Sequence, residues 1–160
     1  MKIYLAGPDV FRPDALTWAD EARTLLLQYG HHALIPLDNE ETTAEGIFKA
    51  NIALIAEADA IIANLNPFRG LEPDSGTAFE VGYAIALGKR VIGYLSDARP
   101  AVDKLAEHFG GSLVRMEDRP TDPNGMFIEN FNLPLNLMLG VSCEIIEGGL
   151  KQALVYLTKK

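Results

Sequence analysis

The 160-residue sequence has a single cysteine and no long apolar run. Cys143 therefore has no partner for an internal disulfide and belongs to no cysteine cluster that could bind a metal. No stretch approaches the roughly 18 apolar residues that a membrane-spanning helix needs. The N-terminus leads directly into a strand-like segment without the apolar core of a secretory signal. We therefore expect a cytoplasmic protein with no metal and no membrane partner.

Basic residues are also few, with 14 lysines and arginines against 22 aspartates and glutamates and a net charge of −8. They are scattered along the chain rather than clustered. Such an acidic surface repels the phosphates of nucleic acids and anionic membranes, so we expect neither as a partner. A highly charged phosphate substrate is disfavoured too, although Arg12 or Arg69 alone could bind one phosphate.

The common nucleotide-phosphate motifs are missing from the sequence. No GxGxxG follows the first predicted strand, and no GxxxxGK[ST] occurs anywhere. A serine-centred nucleophile elbow is missing as well. The segment after the first strand, GPDVFRP, is bulky and partly acidic, so it is suited to a neutral, flat or sugar-like group rather than to a phosphate. No cofactor is predicted.

Short apolar segments alternate with amphipathic ones along the chain. The pattern predicts strands at residues 2–6, 32–36, 60–65, 90–95 and 142–147, and helices at 14–29, 43–58, 75–88, 102–109 and 149–157. Residues 110–132 are rich in Gly, Pro, Asp and Asn and predict a long surface loop, which is usually functional or interfacial. The alternation predicts a single α/β domain over residues 1–160, with a doubly wound, five-stranded parallel sheet. Ligands of such sheets bind outside the carboxyl ends of the strands.

Glu80 is the only charged residue in the segment SGTAFEVGYAIALG, residues 75–88. Apolar residues surround it on nearly every side of a helical wheel, a pattern typical of a buried helix. Burial of an ionised carboxylate costs several kcal/mol unless specific partners compensate. Because a fold does not need that cost, we interpret Glu80 as a chemical group.

Asp74 lies six residues before Glu80, at the start of the predicted helix and the end of the loop NPFRGLEPD. Asp74 or Ser75 can cap this helix, and the loop can fold Asp74 toward Glu80 across a cleft. Two carboxylates in unlike surroundings are how an enzyme separates a nucleophile from a proton donor. The structural alternative is that Asp74 only caps the helix and Glu80 is buried against backbone or a tyrosine.

Four segments together resemble the nucleoside 2-deoxyribosyltransferases: IYLAGPDVF, PLDNE, NPFRGLEPDSGTAFEVGYA and PLNLML. The resemblance covers nearly the whole chain in the correct order and is best with the branch that carries the PFRG segment. It implies a flavodoxin-like α/β sandwich with a mainly parallel sheet. It also implies an enzyme of nucleoside salvage that exchanges purine or pyrimidine bases on 2′-deoxynucleosides through a covalent 2-deoxyribosyl intermediate.

The resemblance also implies roles for individual residues. Glu80 corresponds to the nucleophile and Asp74 to the proton donor, while Tyr4 corresponds to a tyrosine of the first strand. Asn51 stands where some members carry an aspartate, so this sequence departs there in charge. Asn136 corresponds to an asparagine that reaches a neighbouring subunit's site, which implies a homodimer or higher oligomer with shared active sites.

Eight further residues are predicted to contact the substrate: Gly7, Phe11, Asp38, Glu40, Phe68, Arg69, Ser75 and Met138. Structural alternatives stand beside several of them. Asp38, Asn39 and Glu40 form a polar cluster that could recognise a base or sugar, or could equally form a turn that leads into the next helix. Arg69 could pair with Glu72 on the surface, and Met138 could fill a gap in the core.

Two other functions remain open from the sequence. An N-glycoside hydrolase of nucleosides or nucleoside 5′-monophosphates would share the fold and the carboxylates. Its nucleotide-specific form should carry a small Gly/Ser phosphate nest after the first strand, which GPDVFRP lacks. A nucleoside-binding module without catalysis would have no use for two carboxylates in unlike environments.

Overall fold

The computed structural model of the protein describes residues 1–111 and 113–159. Its strands are β1 (Lys2–Ala6), β2 (His32–Leu34), β3 (Ala60–Asn64), β4 (Arg90–Leu95), β5 (Val114–Met116), β6 (Arg119–Thr121) and β7 (Glu144–Glu147). Its helices are α1 (Ala15–Gln28), α2 (Ala44–Glu57), α3 (Ser75–Ala86), α4 (Ala101–His108), α5 (Leu137–Ser142) and α6 (Leu150–Thr158). Short 3₁₀ turns, Pro8–Phe11 and Pro36–Asp38, follow β1 and β2.

Five strands form one sheet in the order β2-β1-β3-β4-β7, and every neighbouring pair is parallel. This is the order of flavodoxin-like folds, in which ligands bind where the strand order reverses, at β1 and β3. The predicted fold class is therefore confirmed, with a sheet that is parallel throughout.

Alternation of side chains along β1 divides the core into two layers. Ile3 and Leu5 pack in the layer that contains α1 and α6. Tyr4 and Ala6 face the opposite layer, which contains α2 and α3. The same alternation that builds the core therefore sends the Tyr4 phenol toward the helix that carries Glu80.

Residues 110–132 contain more regular structure than the sequence predicts. β5 and β6 pair as an antiparallel hairpin. Glu117 and Asp118 connect them with φ values of 50° and 61°, the left-handed backbone that a tight hairpin turn requires. A long irregular loop was thus a wrong prediction here, because strands of three residues are too short to show an alternating pattern.

The predicted fifth strand also begins later than expected, since Ser142 closes helix α5 and the strand β7 starts at Glu144. Asn136 caps α5 with its side-chain oxygen, which accepts from the backbone N–H of Met138 at 2.9 Å. This six-residue helix is too short to show a helical period.

Helix α3 is buried on one side only, although its sequence predicts burial all round. Thr77, Val81 and Ala84 are buried, whereas Phe79 is 53% exposed and Leu87 is 43% exposed. The cause is the layered architecture: a helix on the outside of a sheet turns one stripe toward the core and the opposite stripe away from it. The expectation of a wholly buried helix is wrong for the single chain. No helix in the described ranges has the length and hydropathy to cross a membrane.

Candidate active site

A cleft of about 410 Å³ opens beside the carboxyl end of β1, between helices α2 and α3. This volume lies in the range of small-molecule sites. Residues from four segments line the cleft. Gly7, Val10 and Phe11 follow β1, and Pro36, Leu37, Asn39 and Glu41 follow β2. Helix α2 contributes Ile47 and Asn51, and α3 with its N-cap contributes Asp74, Gly76, Thr77 and Glu80. The position agrees with the rule for parallel α/β sheets.

Glu80 lies in the second turn of α3, and neutral donors hold one of its two carboxylate oxygens. Its Oε1 accepts from the Tyr4 hydroxyl at 2.6 Å and from the Asn51 Nδ2 at 3.4 Å. Within the described ranges no hydrogen bond reaches Oε2, which leaves that oxygen available to the cleft. Burial raises the pKa of Glu80 to about 7, helped by the negative charge of Asp74 and opposed by the hydrogen bonds of Tyr4 and Asn51.

Tyr4 acts on Glu80 as a fixed hydrogen-bond donor. The residue is fully buried on β1, and its phenol has the Glu80 carboxylate as acceptor. Burial, with the nearby charge of Glu80, raises the pKa of Tyr4 far above its usual value. The phenol therefore stays protonated at physiological pH and keeps donating.

Asp74 is at once the N-cap of α3 and a wall of the cleft. Its Oδ2 accepts from the Thr77 backbone N–H at 2.9 Å and from the Thr77 hydroxyl at 3.1 Å. No hydrogen bond reaches Oδ1 in the described part of the chain. The cap that the sequence allowed is therefore present, and it leaves one oxygen of the carboxyl free for a ligand.

Asn51 faces Glu80 from helix α2. Its Nδ2 can donate to the ionised Glu80 carboxylate, which an ionised aspartate at this position could not do. Its Oδ1 is buried and has no partner in the described structure. An unsatisfied buried acceptor costs about 1–3 kcal/mol, so this oxygen is suited to a donor supplied by a ligand.

Phe11, Phe68 and Arg69 form a stack at the edge of the cleft. The two rings are 5.5 Å apart and 16° from parallel, and the guanidinium carbon of Arg69 lies 5.2 Å from the Phe11 centroid and 4.7 Å from that of Phe68. Phe11 itself lines the cleft, whereas Phe68 and Arg69 support it from outside. No ion pair joins Arg69 to Glu72 in the described residues; instead the Phe68 N–H donates to the Glu72 carbonyl at 3.0 Å.

Besides Phe68 and Arg69, three further predicted substrate contacts lie outside the cleft. Asp38 accepts from the Ile35 N–H at 3.0 Å and pairs with Arg23, so it closes the turn after β2 as in the structural alternative. Glu40 is exposed and does not line the cleft. Ser75, the first residue of α3, lies on the outer side beside Arg69.

Asn136 and Met138 also lie apart from the cleft of their own chain. Asn136 donates to Glu129 at 3.0 Å and lines a separate groove with Phe131 and Leu135. Met138 is 71% exposed. A single chain therefore does not bring either residue to Glu80.

Of the predicted contacts, Gly7 lies in the cleft at a position of close approach. A Cβ placed there would lie 2.8 Å from the Asn64 Cβ and 2.9 Å from a carboxylate oxygen of Asp9, so a larger residue would force the loop to move.

The sequence grouped Asn39 with Asp38 and Glu40 as a candidate for base or sugar recognition, but it did not single out the cleft residues Glu41 and Thr77. Thr77 lies three residues after the cap, the spacing at which a cap receives its hydrogen bond, and this signal could have found it. Asn39 and Glu41 follow β2 at a strand end where ligands are expected. Their neighbours Asp38 and Glu40 have the same chemistry, so only the turn geometry distinguishes them. No group of three or more potential metal ligands occurs in the described residues.

Neutralising Glu80 is expected to stabilise the fold, and more so at higher pH. The pKa of Glu80 is about 7 in the folded chain against an ordinary value of 4.5, so folding binds its proton more tightly. The bound proton adds to the free energy of unfolding in full below the ordinary pKa of 4.5, and this contribution is lost as the pH rises through about 7. Glu80→Gln should therefore gain on the order of 2 kcal/mol over the wild type at about pH 8.

Thermal melts at about pH 5 and pH 8 measure this effect, which for a chain of this length corresponds to roughly 4–8 °C at the higher pH and less at the lower. The exposed Glu45→Gln, which loses only a surface ion pair with Lys49, is the matched control and should shift both melts equally, by no more than about 2 °C. An equal shift of Glu80→Gln at both pH values would contradict a raised pKa.

Two comparisons with known proteins point to the same family. A family model described as nucleoside 2-deoxyribosyltransferase matches residues 3–138. A 2-deoxyribosyltransferase from Leishmania mexicana is 40% identical, with a TM-score of 0.81 over 99% of this chain and 97% of that chain. An uncharacterized protein of Schizosaccharomyces pombe is 34% identical over 116 residues, which are 66% of this chain and 55% of the yeast protein. A CMP N-glycosidase from Clostridium botulinum is 24% identical, with a TM-score of 0.45 over 59% of this chain and 71% of that chain, too low to inform on function.

Proposed function

Because the chain belongs to the nucleoside 2-deoxyribosyltransferase family, we propose that it exchanges the base of 2′-deoxynucleosides through a 2-deoxyribosyl ester on Glu80. The observation that carries the proposal is the Glu80 carboxylate itself. One oxygen is held by Tyr4 at 2.6 Å, and the other is unpartnered in the described structure and belongs to a cleft of nucleoside size. Such exchange would serve nucleoside salvage.

In the first half-reaction the Glu80 Oε2 attacks C1′ of the sugar while the bond from C1′ to the base nitrogen breaks. Asp74 and Glu80 share one proton, which moves to Asp74 so that Glu80 attacks as the carboxylate. The bonding electrons move to the base, and the base takes this proton from Asp74. The transition state resembles an oxocarbenium ion, as in retaining glycosidases. Tyr4 and Asn51 keep Oε1 fixed, so that the carboxylate presents its other oxygen.

In the second half-reaction a nitrogen of the incoming base attacks C1′, and the ester bond to Oε2 breaks. Asp74 takes back the proton that the incoming base loses. Two inversions at C1′ restore the β-configuration. At the end of the cycle Asp74 has regained its proton and the sugar has passed to the incoming base, so no external oxidant, reductant or metal is needed.

The walls of the cleft support transfer to a base rather than to water. Apolar side chains surround the carboxylates, contributed by Val10, Phe11, Pro36, Leu37 and Ile47. Flat bases bury well against such a surface, and a filled cleft keeps water from the ester. Phe11, backed by its stack, offers a ring face to a base.

The polar lining favours an unphosphorylated sugar. Within the described ranges no lysine, arginine or histidine lines the cleft, whereas Glu41, Asp74 and Glu80 do. A 5′-phosphate would meet only like charge there. A sugar hydroxyl can instead donate to the orphan Oδ1 of Asn51.

The reaction is tested by incubating the protein with deoxyinosine and free adenine and separating the products by chromatography. Deoxyadenosine is the expected product. Hypoxanthine and free deoxyribose without deoxyadenosine would identify a hydrolase instead. Unchanged substrates, with binding detected by calorimetry, would identify a nucleoside-binding module.

We also propose a homodimer or higher oligomer in which Asn136 completes the site of a neighbouring chain. Around α5 the single chain exposes large apolar side chains, with Phe131 at 65%, Met138 at 71% and Val141 at 74%. Exposed apolar surface of this kind is typical of an interaction face. A two-fold contact would bury the same face on both copies.

Mixing two inactive variants tests the shared site. Glu80→Ala and Asn136→Ala, combined under subunit exchange, should recover about a quarter of wild-type activity, because each mixed dimer holds one intact site. Glu80→Ala mixed with Asp74→Asn is the control and should recover none, since both residues belong to one cleft. A monomer by sedimentation, or no recovery despite exchange, would show that each chain completes its own site.

A further inference from the structure

Glu41 is a third carboxylate of the cleft, and it comes from a different segment of the chain than Asp74 and Glu80. It lines the cleft after β2, whereas Asp74 and Glu80 line it from α3. No hydrogen bond or ion pair reaches the Glu41 carboxylate in the part of the chain that the structure describes. Neither the cap of α3 nor the hydrogen bonding of Glu80 uses this residue.

The backbone of Glu41 is held through its N–H. Its N–H donates to the Asn39 Oδ1 at 3.0 Å, while the Asn39 Nδ2 donates to the Pro36 carbonyl at 2.7 Å. The amide of Asn39 thus ties Glu41 to the turn that follows β2. Because both ends of this amide are occupied, Asn39 orients Glu41 rather than a ligand.

The carboxylate itself lies against the first turns of α2. A Cβ at Gly46 would lie only 2.1 Å from the Glu41 Oε2 and 2.8 Å from its Cδ, so the carboxylate packs directly against Gly46. Glu41 therefore offers a hydrogen-bond acceptor to the cleft beside the start of α2.

Besides the Glu80 Oε2, the other side-chain atoms of the cleft that lack a partner in the described residues are acceptors too, namely the Asn51 Oδ1 and the Asp74 Oδ1. A ligand must then supply the donors to these side chains. With the sugar on Glu80 and the glycosidic nitrogen beside Asp74, the remaining cleft toward Pro36, Leu37 and Glu41 belongs to the base.

Building on the proposed base exchange, we propose that Glu41 selects bases that carry an amino group where hypoxanthine or uracil has a carbonyl, namely adenine and cytosine. An amino N–H donates to the carboxylate. A carbonyl at the same position of hypoxanthine or uracil turns lone pairs toward it and leaves it unpaired. Sites built around a hydrogen bond discriminate strongly against ligands that lack the donor.

Two matched substrate pairs test this assignment, since each pair differs only in an amino or oxo group: deoxyadenosine with deoxyinosine, and deoxycytidine with deoxyuridine. The wild type should favour the amino member by roughly ten-fold or more in kcat/KM, equivalent to one hydrogen bond. Glu41→Gln, whose amide can both donate and accept, should bring each ratio to within about three-fold. Glu45→Gln, an exposed residue of α2 paired with Lys49, should keep the wild-type ratios.

Equal kcat/KM within the pairs, or ratios that Glu41→Gln leaves unchanged, would overturn the role of Glu41 while base exchange stands. Calorimetric affinities for deoxyadenosine and deoxyinosine give the same test without turnover. If those affinities differ in the wild type and converge in Glu41→Gln although no exchange occurs, the reaction fails and the selection holds. Equal affinities in the wild type overturn the selection.

Discussion

Replacing Glu80 by alanine is expected to abolish base exchange, lowering kcat/KM by roughly 10⁴-fold or more, the scale seen when a covalent nucleophile is removed. The variant should fold, because the substitution removes a half-buried carboxyl whose ionised form is destabilised by burial. Neither Asp74 nor Tyr4 can take over, since Asp74 caps α3 and Tyr4 is fully buried behind Glu80. Exchange measured by chromatography gives the loss.

A covalent label identifies the residue directly. A deoxynucleoside with fluorine at C2′ destabilises the oxocarbenium-like transition state, so that the ester forms and then breaks down slowly. Mass spectrometry of peptides should find the fluorinated sugar on the one containing Glu80. The control Glu45→Ala should be labelled like the wild type. A label on Asp74 or Glu41 would show that another carboxylate attacks the sugar.

Replacing Asp74 by asparagine is expected to slow the departure of ordinary bases by roughly 10²–10⁴-fold, the usual range for loss of a general acid. Asparagine caps helices as well as aspartate does, so its oxygen can keep the hydrogen bond from the Thr77 N–H. The substitution thus separates the cap that Asp74 forms in the structure from the proton-donor role that we propose for it.

The deciding measurement compares two leaving groups in the first turnover. Deoxyadenosine needs a proton to release its base, whereas 7-methyl-2′-deoxyguanosine already carries a positive charge on its base. Rapid-quench measurement of base release should show the full loss for the first substrate and a loss of no more than about ten-fold for the second. Equal losses for both would show that Asp74 acts only as a cap.

The fold and the central carboxylates could be predicted from the sequence because their signals are local. Apolar runs such as residues 60–65 between amphipathic helices indicate a parallel sheet covered on both faces, whatever the details of packing. Glu80 stood out as a lone charge in an apolar helix, since the cost of burying a charge applies in any fold. The placement of Asp74 at the rim, six residues before Glu80, is also a local signal, because it depends only on where this one helix begins.

Other features depend on how distant segments pack, and the sequence carries no period for them. The hydrogen bond of Tyr4 to Glu80 joins residues 76 positions apart, and it exists because β1 turns Tyr4 toward the layer of α3. The same packing exposes Phe79 and buries Val81, although both are apolar residues of the same helix.

The difference is clearest after β2, where four polar residues follow one another. Composition treats Asp38, Asn39, Glu40 and Glu41 alike, yet the turn sends Asp38 to Arg23 and Glu41 into the cleft, and leaves Glu40 in solvent. A side chain's direction in a turn depends on backbone angles and on hydrogen bonds such as that of Asn39 to Pro36. The sequence by itself therefore determined the architecture and the pair of carboxylates, while the tertiary structure decided which side chains meet them, because contacts between elements arise only from three-dimensional packing.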